Sequence, residues 1–349
     1  MKKIVLTGGG TAGHIYPALA VKERLPQDYE VHYIGSNGME KTIISKESDI
    51  TFHEIRAVKL ARKLTLKNLL IPFKLWRAVK DAKNALKEIN PNVVFSKGGF
   101  VAVPVVIAAK SLHIPIISHE SDLSMGLANK IILKRCNYMC TTFLQTAKGN
   151  SRCVYTGQPI RKKVFEGNAS RIRAMGNFNP KLKNLVVIGG SSGAKFINER
   201  VWDNLEALTE NFNVVHITGK QKVEKHTHKN YLQVEYAENI GDYYAFADLI
   251  LSRAGSGAIN EFLALRKPAL LIPLSKKCSR GDQIENAKLF TSLKIADMLE
   301  EENYNSELFI SKLKNLNRNA PALIKNMEKM QNFDACDKII ELIQKVEHK

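Results

Sequence analysis

The feature of this sequence that most restricts its fold is a glycine-rich turn that occurs twice, each time between a short apolar run and a helical pattern. The first copy reads Thr7-Gly-Gly-Gly-Thr-Ala-Gly-His14, and the second reads Ile188-Gly-Gly-Ser-Ser-Gly-Ala194. In each copy a buried strand would enter the turn, and a helix would begin directly after it. Such a unit requires a parallel sheet with a helix packed on its face.

The rest of the chain repeats this alternation of apolar runs and longer helical stretches. The predicted strands are residues 4–7, 31–34, 93–96, 114–118, 138–143, 185–188, 214–218, 249–252 and 269–272. A chain of 349 residues exceeds the size at which a single core stops growing. The sequence therefore predicts an α/β fold with two Rossmann-like domains, each a doubly wound parallel sheet.

The domain boundary is expected near Gly157-Gln-Pro-Ile-Arg161, because a polar and weakly patterned stretch follows it before the next strand. This places one domain at residues 1–160 and the other at 161–330. Residues 331–349 have the apolar spacing of a helix that could pack on either domain, and we expect it on the N-terminal one.

The charge balance indicates an anionic partner. The chain has 52 basic and 34 acidic residues, a net charge of +18, which suits nucleic acid, phospholipid headgroups or a phosphorylated substrate. The five cysteines are odd in number, and the N-terminus runs directly into a strand pattern, so we expect the cytoplasm. Cys136 and Cys140 have loose zinc spacing but lack a second pair, so no metal is expected.

Residues 55–80 contain eight Lys or Arg and no acidic residue. Apolar residues, including Trp76, are interleaved with these cations at helical spacing. This pattern is typical of an amphipathic helix lying on an anionic membrane. A core-packed helix with a solvated basic face is the alternative. No apolar run approaches the roughly 18 residues of a spanning helix, so any membrane contact should be peripheral.

Both glycine turns could bring backbone N–H groups to a phosphate at a helix N-terminus. The spacing Gly8-x-Gly10-x-x-Gly13 matches a dinucleotide-binding motif. That motif requires an acidic residue at the end of the second strand, where this chain has Gly35-Ser36-Asn37. NAD binding is therefore disfavoured, and a purely structural turn remains an alternative for each copy.

Polar residues with catalytic potential follow the predicted strands of the first half. His14 stands at a helix start, where a neutral imidazole could act as a base or could simply be exposed. The motifs Lys97-Gly-Gly-Phe100 and Ser118-His-Glu-Ser-Asp122 end neighbouring strands, where open α/β sheets bind ligands. Helix capping is the alternative for the second motif. We expect these loops to converge.

The second half offers groups suited to a nucleotide sugar. Glu261 lies in the helix after a strand and a small-residue turn, where it could accept both hydroxyls of a ribose or merely favour the helix dipole. Gln283 and Asn286 lie about one helical turn apart, so their amides could face sugar hydroxyls together.

Jointly these motifs resemble the MurG family of peptidoglycan glycosyltransferases. The matching motifs are Gly8-Gly-Gly-Thr-Ala-Gly-His14, His119-Glu-Ser-Asp122, Gly189-Gly-Ser-Ser-Gly-Ala194, Ser252-Arg-Ala-Gly255 with Glu261, and Gly281-Asp-Gln-x-x-Asn-Ala287. The resemblance implies a GT-B fold, with the two domains facing across a cleft. It also implies an inverting, metal-independent transfer of GlcNAc from UDP-GlcNAc to the C4 hydroxyl of undecaprenyl-pyrophosphoryl-MurNAc-pentapeptide, converting lipid I to lipid II without a cofactor.

The resemblance assigns roles by position. His14 is the candidate base, and Glu120 is an alternative. The implied acceptor-binding residues are Gly10, Thr11, His14, Gly98, Gly99 and Phe100. The implied donor-binding residues are Thr11, Ala12, Gly13, Asp122, Arg161, Gly190, Ser191, Ile240, Ala258, Glu261, Gln283 and Asn286. Among these, Arg161 and Ser191 would face the diphosphate, Ile240 and Ala258 the uracil, Glu261 the ribose, and Gln283 and Asn286 the GlcNAc.

The basic stretch falls where the family has its membrane surface, which favours the membrane interpretation. The residues expected to face lipid are Leu66, Leu69, Leu70, Phe73 and Trp76. The resemblance thus implies a peripheral protein on the cytoplasmic face of the plasma membrane, with other cell-wall synthesis proteins as further partners and no nucleic acid.

The chain departs from the common family pattern at several positions. Ser192 stands where Gln is common, Phe100 where Tyr is common, and Ser121-Asp122 where Gln-Asn is common. Phe100 cannot donate a phenolic hydrogen bond. Rival functions are a UDP-GlcNAc 2-epimerase or a glycolipid glycosyltransferase of the same fold, a nucleic-acid-binding protein, and a non-catalytic subunit that recruits an enzyme to the membrane.

Overall fold

The computed structural model describes residues 1–57, 71–190, 192–219, 224–330 and 335–347. The chain divides into two compact units. Unit 1 comprises Met1–Arg161 and Phe333–Lys349, and unit 2 comprises Lys162–Asn332. The last helix of the chain therefore belongs to the N-terminal unit.

Unit 1 is a parallel sheet with helices. Its strands are β1 (Lys2–Thr7), β2 (Tyr29–Gly35), β3 (Ile50–Glu54), β4 (Val93–Ser96), β5 (Ile116–Glu120), β6 (Tyr138–Thr141) and β7 (Cys153–Tyr155). Its described helices are α1 (Ala12–Lys22), α2 (Met39–Ile44), α3 (Ile71–Ile89), α4 (Ala102–Ser111), α5 (Leu127–Leu133), α6 (Leu144–Ala147) and α14 (Ala335–Glu347). The described strands are ordered β3-β2-β1-β4-β5-β6-β7.

Unit 2 repeats this plan. Its strands are β8 (Lys183–Ile188), β9 (Phe212–Ile217), β10 (Tyr231–Val234), β11 (Leu249–Ser252), β12 (Ala269–Leu271) and β13 (Asp297–Met298). Its described helices are α7 (Ala169–Met175), α8 (Lys195–Asp203), α9 (Leu205–Asn211), α10 (Ile240–Phe246), α11 (Ser256–Ala264), α12 (Asp282–Ser292) and α13 (Ser306–Glu328), with 3₁₀ turns at Lys162–Val164 and Glu301–Asn303. The described strands are ordered β10-β9-β8-β11-β12-β13.

Every strand pair in the described part of both sheets is parallel, so the predicted α/β fold with two parallel sheets is confirmed. In each sheet the strand numbers fall and then rise across the sheet, and the change occurs beside the strand that precedes a glycine turn. These strands are β1, next to β4, and β8, next to β11. Ligands of open α/β sheets bind at such switch points, outside the carboxyl ends of the strands.

The C-terminal helix α14 completes the core of unit 1. Ile339 and Ile343 are fully buried and pack in one cluster with Leu19 and Ala20 of α1. Tyr29 at the start of β2 donates a hydrogen bond of 2.7 Å to Glu347 at the end of α14. Burial of these side chains stabilises unit 1 by removing apolar surface from water.

The five cysteines are all free thiols. Among the described residues no group of three or more His, Cys, Asp or Glu side chains is arranged to hold a metal ion. No helix in the described ranges is long and apolar enough to cross a membrane.

Candidate functional site

The first glycine turn is held from below by a buried carboxylate. Glu40, on α2, is 1% exposed. Its carboxylate accepts hydrogen bonds from Gly10 N–H at 3.3 Å, from Ser36 N–H at 3.0 Å and from the Ser36 hydroxyl. Tyr33 donates to the carbonyl of Gly8 at 2.7 Å. One turn N–H is thus already committed to an acidic side chain.

The positions around Glu40 are glycines because the Glu40 side chain leaves no room for a Cβ there. A Cβ on Gly9 would lie 2.8 Å from the Glu40 carboxyl, and one on Gly35 would lie 2.9 Å from its Cγ. Glycine therefore lets two backbone segments close around one carboxylate. From the sequence, both turns are expected to offer N–H groups to a phosphate. The negatively charged oxygens of the Glu40 carboxylate, one of which accepts the Gly10 N–H, make the first turn unsuited to that task.

The side chain of His14 is oriented by two contacts. Its Nδ1 lies 3.0 Å from the hydroxyl of Thr11, the residue that precedes α1. The ring edge lies against Gly99, where a Cβ would be only 3.2 Å from Nδ1. When Nδ1–H donates to the Thr11 oxygen, Nε2 carries the lone pair, which is the tautomer that a base at Nε2 requires.

The predicted acceptor residues of unit 1 come together. Gly98 and Gly99 have φ of +84° and +80°, values that favour glycine. A Cβ on Gly10 would lie 2.5 Å from the ring of Phe100, so the two loops are in close contact. The carboxyl ends of β1 and β4 thus bring Gly10, Gly99, Phe100 and His14 to one place. The remaining predicted residues of this turn, Thr11, Ala12 and Gly13, lie at least partly exposed in the same segment.

The carboxylate of Glu120 is occupied by its own loop. Glu120 is 4% exposed, and it accepts hydrogen bonds of 3.0 Å from the N–H groups of Asp122 and Gly126 and from the side-chain amide of Asn129. A carboxylate with these three donors stabilises the loop between β5 and α5. The structure thus gives it an anchoring position instead of the exposed one that a base needs, while Asp122 remains half-buried at the same edge.

Lys97 links the same loops from inside the unit. It is fully buried, and its ammonium group donates to Ser121 at 2.5 Å. The Ser121 hydroxyl donates to Gln158 at 2.9 Å, and Thr142 donates to the same oxygen at 2.8 Å. Burial lowers the pKa of Lys97 to about 8, although the nearby Glu120 opposes this. The four chain segments that follow β4, β5, β6 and β7 are thereby connected.

His119 is a buried neutral imidazole. Burial, and secondarily the charge of Lys97, hold its pKa well below the usual value. Its Nε2 lies 2.9 Å from the carbonyl of Gly157, which can only accept a hydrogen bond, so Nε2 carries the proton. His119 therefore supports the segment after β7.

The second glycine turn has free space beside its backbone, whereas Glu40 occupies that space at the first turn. Gly190 has φ of +93°, and no described atom lies within 4 Å of the place where its Cβ would be. Gly193 instead packs on the backbone of Thr218. The helix that follows, α8, has no acidic residue in its first turn. Its N–H groups and positive dipole end therefore suit an anion. The predicted diphosphate contact Ser191 lies outside the described residues.

Three further predicted donor residues of unit 2 lie on two helices, α10 and α11. Ala258 lies in the first turn of α11, and Glu261 follows it on the same helix; both are partly exposed. Glu261 accepts a hydrogen bond of 2.9 Å from Tyr244 of α10. Ile240 is the first residue of α10 and is also partly exposed.

Gln283 and Asn286 differ in accessibility. Gln283 is partly exposed, and its oxygen accepts the N–H of Leu274 at 3.0 Å. Asn286 is fully buried and donates to the carbonyl of Ala254 at 3.4 Å. Asn286 thus braces the turn between β11 and α11 from inside, because α12 points this side chain into the unit. Its direct contact with a sugar stays a prediction.

Arg161 is engaged within unit 1. Its Nε donates to Glu23 at 3.1 Å, and its guanidinium lies 5.1 Å from the ring centre of Tyr16. The predicted contact with a diphosphate would therefore replace the bond to Glu23. Its side chain is largely buried, in contact with Tyr16 of α1 and with Glu23, which directly follows that helix.

Aromatic residues are exposed at the start of α3. Phe73 and Trp76 are 50% and 59% exposed, and their rings stack with centroids 6.2 Å apart. Arg77 lies over Phe73 and Lys80 over Trp76. The other residues expected to face lipid, Leu66, Leu69 and Leu70, lie outside the described residues.

Nothing in the sequence indicated Glu40 at this site, and the sequence placed Lys97 in a site loop without indicating that the side chain is buried. Glu40 lies 30 residues from the turn that it supports, and only the pairing of β1 with β2 brings it there. The available signal for Lys97 was a cation directly after an all-apolar strand, a position that is buried in a parallel sheet.

Comparisons with known proteins agree with this geometry. The glycosyltransferase family 28 N-terminal domain matches residues 4–141, and the family 28 C-terminal domain matches residues 184–343. The chain is 44% identical to the UDP-N-acetylglucosamine–N-acetylmuramyl-(pentapeptide) pyrophosphoryl-undecaprenol N-acetylglucosamine transferase of Clostridium tetani, over 99% of this chain and 98% of that protein. It is 45% identical to the same-named protein of Clostridium botulinum strain Alaska E43, over 98% of each.

Solved structures are similar as well. The crystal structure of Acinetobacter baumannii MurG aligns with a TM-score of 0.77 and 26% identity, over 99% of this chain and 100% of that one. A UDP-GlcNAc 2-epimerase from Neisseria meningitidis aligns with a TM-score of 0.66 at 13% identity, over 99% of this chain and 100% of that one, which shows a shared fold alone. The GT-B fold that the resemblance implied is confirmed.

Because Lys97 is buried, we expect the free energy of unfolding to have an unusual pH dependence. The pKa of Lys97 lies at about 8 in the folded chain and at 10.5 when exposed, so in this window the unfolded chain holds a proton that the folded chain has released. The free energy of unfolding should therefore rise with pH across the window, by about 3 kcal/mol in total.

Urea denaturation from pH 8 to 10.5 measures this rise. Lys97→Met should lack it, whereas Lys110→Met, which changes an exposed lysine at the end of α4, should retain it. Equal pH slopes for Lys97→Met and the unchanged protein would show that Lys97 is not the group responsible.

Proposed function

The chain belongs to glycosyltransferase family 28, and within it to the MurG enzymes, and on that premise we propose that it transfers GlcNAc from UDP-GlcNAc to undecaprenyl-pyrophosphoryl-MurNAc-pentapeptide. This step converts lipid I to lipid II. The observation that carries the proposal is the 44% identity, over 99% of the chain, to a curated transferase of that name. The open second turn supports the proposal because it offers a site for the diphosphate of the donor. The oriented His14 supports it because it offers a base for the acceptor hydroxyl.

The reaction needs one displacement and one base. The C4 oxygen of the muramyl sugar forms a bond to C1 of GlcNAc while the bond from C1 to the UDP oxygen breaks, and the electron pair of that bond leaves with UDP. His14 takes the proton of the C4 hydroxyl. In the tautomer in which Nδ1–H donates to the Thr11 oxygen, Nε2 carries the basic lone pair. Glu120 is not needed as a base in this scheme.

Charge that builds on the departing UDP is stabilised by fixed dipoles. The open turn at Gly190 and the N-terminus of α8 supply N–H groups, with Ser191 and Arg161 as further donors to the diphosphate. Preorganised donors of this kind act without reorganising during the reaction.

The rest of the donor is assigned along unit 2. Ile240 and Ala258 border the uracil, Glu261 accepts the ribose hydroxyls, and Gln283 donates to GlcNAc. Asn286 acts through the turn that it braces at Ala254. Thr11, Ala12, Gly13 and Asp122 complete the sugar side, and Gly98 joins the acceptor loop.

Membrane attachment is assigned to the exposed start of α3. Phe73 and Trp76 offer apolar rings, and Arg77 and Lys80 add charge beside them that attracts anionic headgroups. This surface would hold the protein at the cytoplasmic face of the plasma membrane, where the lipid-linked acceptor and other cell-wall synthesis proteins are found.

Transfer of labelled GlcNAc tests the function directly. UDP-GlcNAc is supplied with the muramyl lipid acceptor in the presence of EDTA, and a diacylglycerol acceptor is run in parallel. We expect a labelled muramyl lipid despite the chelator and none with diacylglycerol. Product only with diacylglycerol would indicate a glycolipid enzyme, and no product with either would indicate a non-catalytic subunit.

Replacing the base should slow the chemical step selectively. His14→Ala should lower kcat by about 10²- to 10⁴-fold, because the acceptor hydroxyl loses its proton acceptor, while the Kd for UDP-GlcNAc stays unchanged. Kinetics and calorimetry give the two values. His113→Asn, at an exposed imidazole outside the site, is the matched control. Nearly full turnover by His14→Ala with intact donor binding would assign the base elsewhere.

Removing the exposed rings should release the protein from membranes. The double change Phe73→Ser and Trp76→Ser should weaken sedimentation with anionic phosphatidylglycerol vesicles by about 10²-fold or more, since each buried ring contributes about 1.5–3 kcal/mol. Phe165→Ser, at a ring that is equally exposed in unit 2, should bind as before. Unchanged vesicle binding by the double variant would remove α3 from the membrane surface.

A further inference from the structure

We propose that Tyr244 is the positioning residue for the donor ribose, because it fixes the carboxylate of Glu261 in place before the nucleotide arrives. This inference rests on the proposed function, in which Glu261 accepts the ribose hydroxyls. Tyr244 itself is buried and would not touch the nucleotide; it acts through Glu261.

The contact is short and enclosed. Tyr244 is 2% exposed, and its hydroxyl donates to Oε2 of Glu261 at 2.9 Å. Its ring meets Phe262, the next residue of α11, edge to face, with centroids 5.6 Å apart and planes at 85°. The ring packing holds the phenol in one orientation, so the hydroxyl can reach only one place.

The direction of this hydrogen bond is settled by chemistry. Burial, and then the neighbouring Glu261, raise the pKa of Tyr244 well above its ordinary value, so the phenol keeps its proton and donates. An ionised carboxylate has about four acceptor positions. One bond to Tyr244 fixes the plane of the group and leaves capacity for a vicinal diol.

Helix α10, which carries Tyr244, is itself clamped to the start of unit 2. A Cβ on Gly167 would lie 1.9 Å from the carbonyl oxygen of Gly241, so the two backbones touch. Asp242 accepts the N–H of Asn168 at 2.7 Å, and Arg171 donates to its other oxygen at 3.2 Å. The helix therefore cannot slide without breaking a buried interaction.

This arrangement gives the uridine one rigid support. Ile240 begins α10, and Tyr244 follows one helical turn later on the same helix. The proposed uracil contact and the proposed ribose contact thus share a single clamped element. A carboxylate that is ordered before binding does not lose side-chain freedom when the ribose arrives, which favours affinity.

A buried tyrosine needs a hydrogen-bond partner for its own hydroxyl, and the bond to Glu261 also meets that need. A test must therefore separate a structural role of Tyr244 from a role in positioning Glu261. The two roles predict different effects on the binding of different ligands. A positioning residue for Glu261 should matter only when the ligand has the 2′ and 3′ hydroxyls, whereas a structural residue should affect every uridine ligand equally.

Calorimetric titration with UDP and with 2′,3′-dideoxyuridine diphosphate tests this. Tyr244→Phe keeps the ring and removes only the hydroxyl; it should weaken UDP binding by about tenfold and dideoxy-UDP binding by less than about twofold. Glu261→Gln should show the same selectivity. Tyr243→Phe removes a neighbouring phenol from α10 and should leave both affinities unchanged, and thermal melting checks that each variant is folded.

The outcomes separate this inference from the proposed function. If Glu261→Gln weakens UDP selectively and Tyr244→Phe does not, Tyr244 has no positioning role although the donor assignment holds. Equal weakening of both ligands by Tyr244→Phe would make its role structural. If Glu261→Gln leaves UDP binding unchanged, the ribose assignment and this inference fail together, while GlcNAc transfer by the unchanged protein still tests the function itself.

Discussion

The carboxylate of Glu40 beneath the first glycine turn separates the tasks of two units that share one architecture. In both units a strand ends at the switch point of a parallel sheet and a helix begins directly after a glycine turn. In unit 1 the Gly10 N–H is bonded to Glu40, whereas in unit 2 the space beside Gly190 is open; neither α1 nor α8 has an acidic residue in its first turn. Under the proposed function, the negative charge next to the first turn and the open space at the second favour binding of the anionic diphosphate in unit 2.

The active-site edge of unit 1 depends on buried polar groups more than on apolar packing. Lys97 and Glu120 are both buried, and each is bonded to a different segment at the carboxyl edge of the sheet. Burying charged groups costs free energy unless they have hydrogen-bond partners, and these contacts offset that cost while they fix the loops. The same loops bring Gly99 against His14, one of the two contacts that orient this imidazole, which we propose as the base. The same logic applies in unit 2, where Tyr244 and Asn286 hold Glu261 and the turn at Ala254.

Much of the fold could be predicted from the sequence, and the failures have a common cause. The nine apolar runs correspond to strands, but β3, β7, β10 and β13 were not predicted. These four are the edge strands of the two sheets, and most of their residues are only partly buried, so they lack a continuous apolar run. The residues of the candidate site also divide into those that have a local sequence signal and those that have none. Glycine turns and His14 are local signals, whereas the inward direction of Glu120 and Asn286 and the position of Glu40 depend on packing between distant segments.

The most direct measurement for the difference between the two turns is hydrogen–deuterium exchange with and without UDP. The amides of residues 189–194 should exchange more slowly in the presence of UDP, because the diphosphate accepts their hydrogen bonds, and the amides of residues 8–14 should be unchanged. Protection of residues 8–14 without protection of residues 189–194 would contradict the assignment of the diphosphate to the second turn and the role given to Glu40.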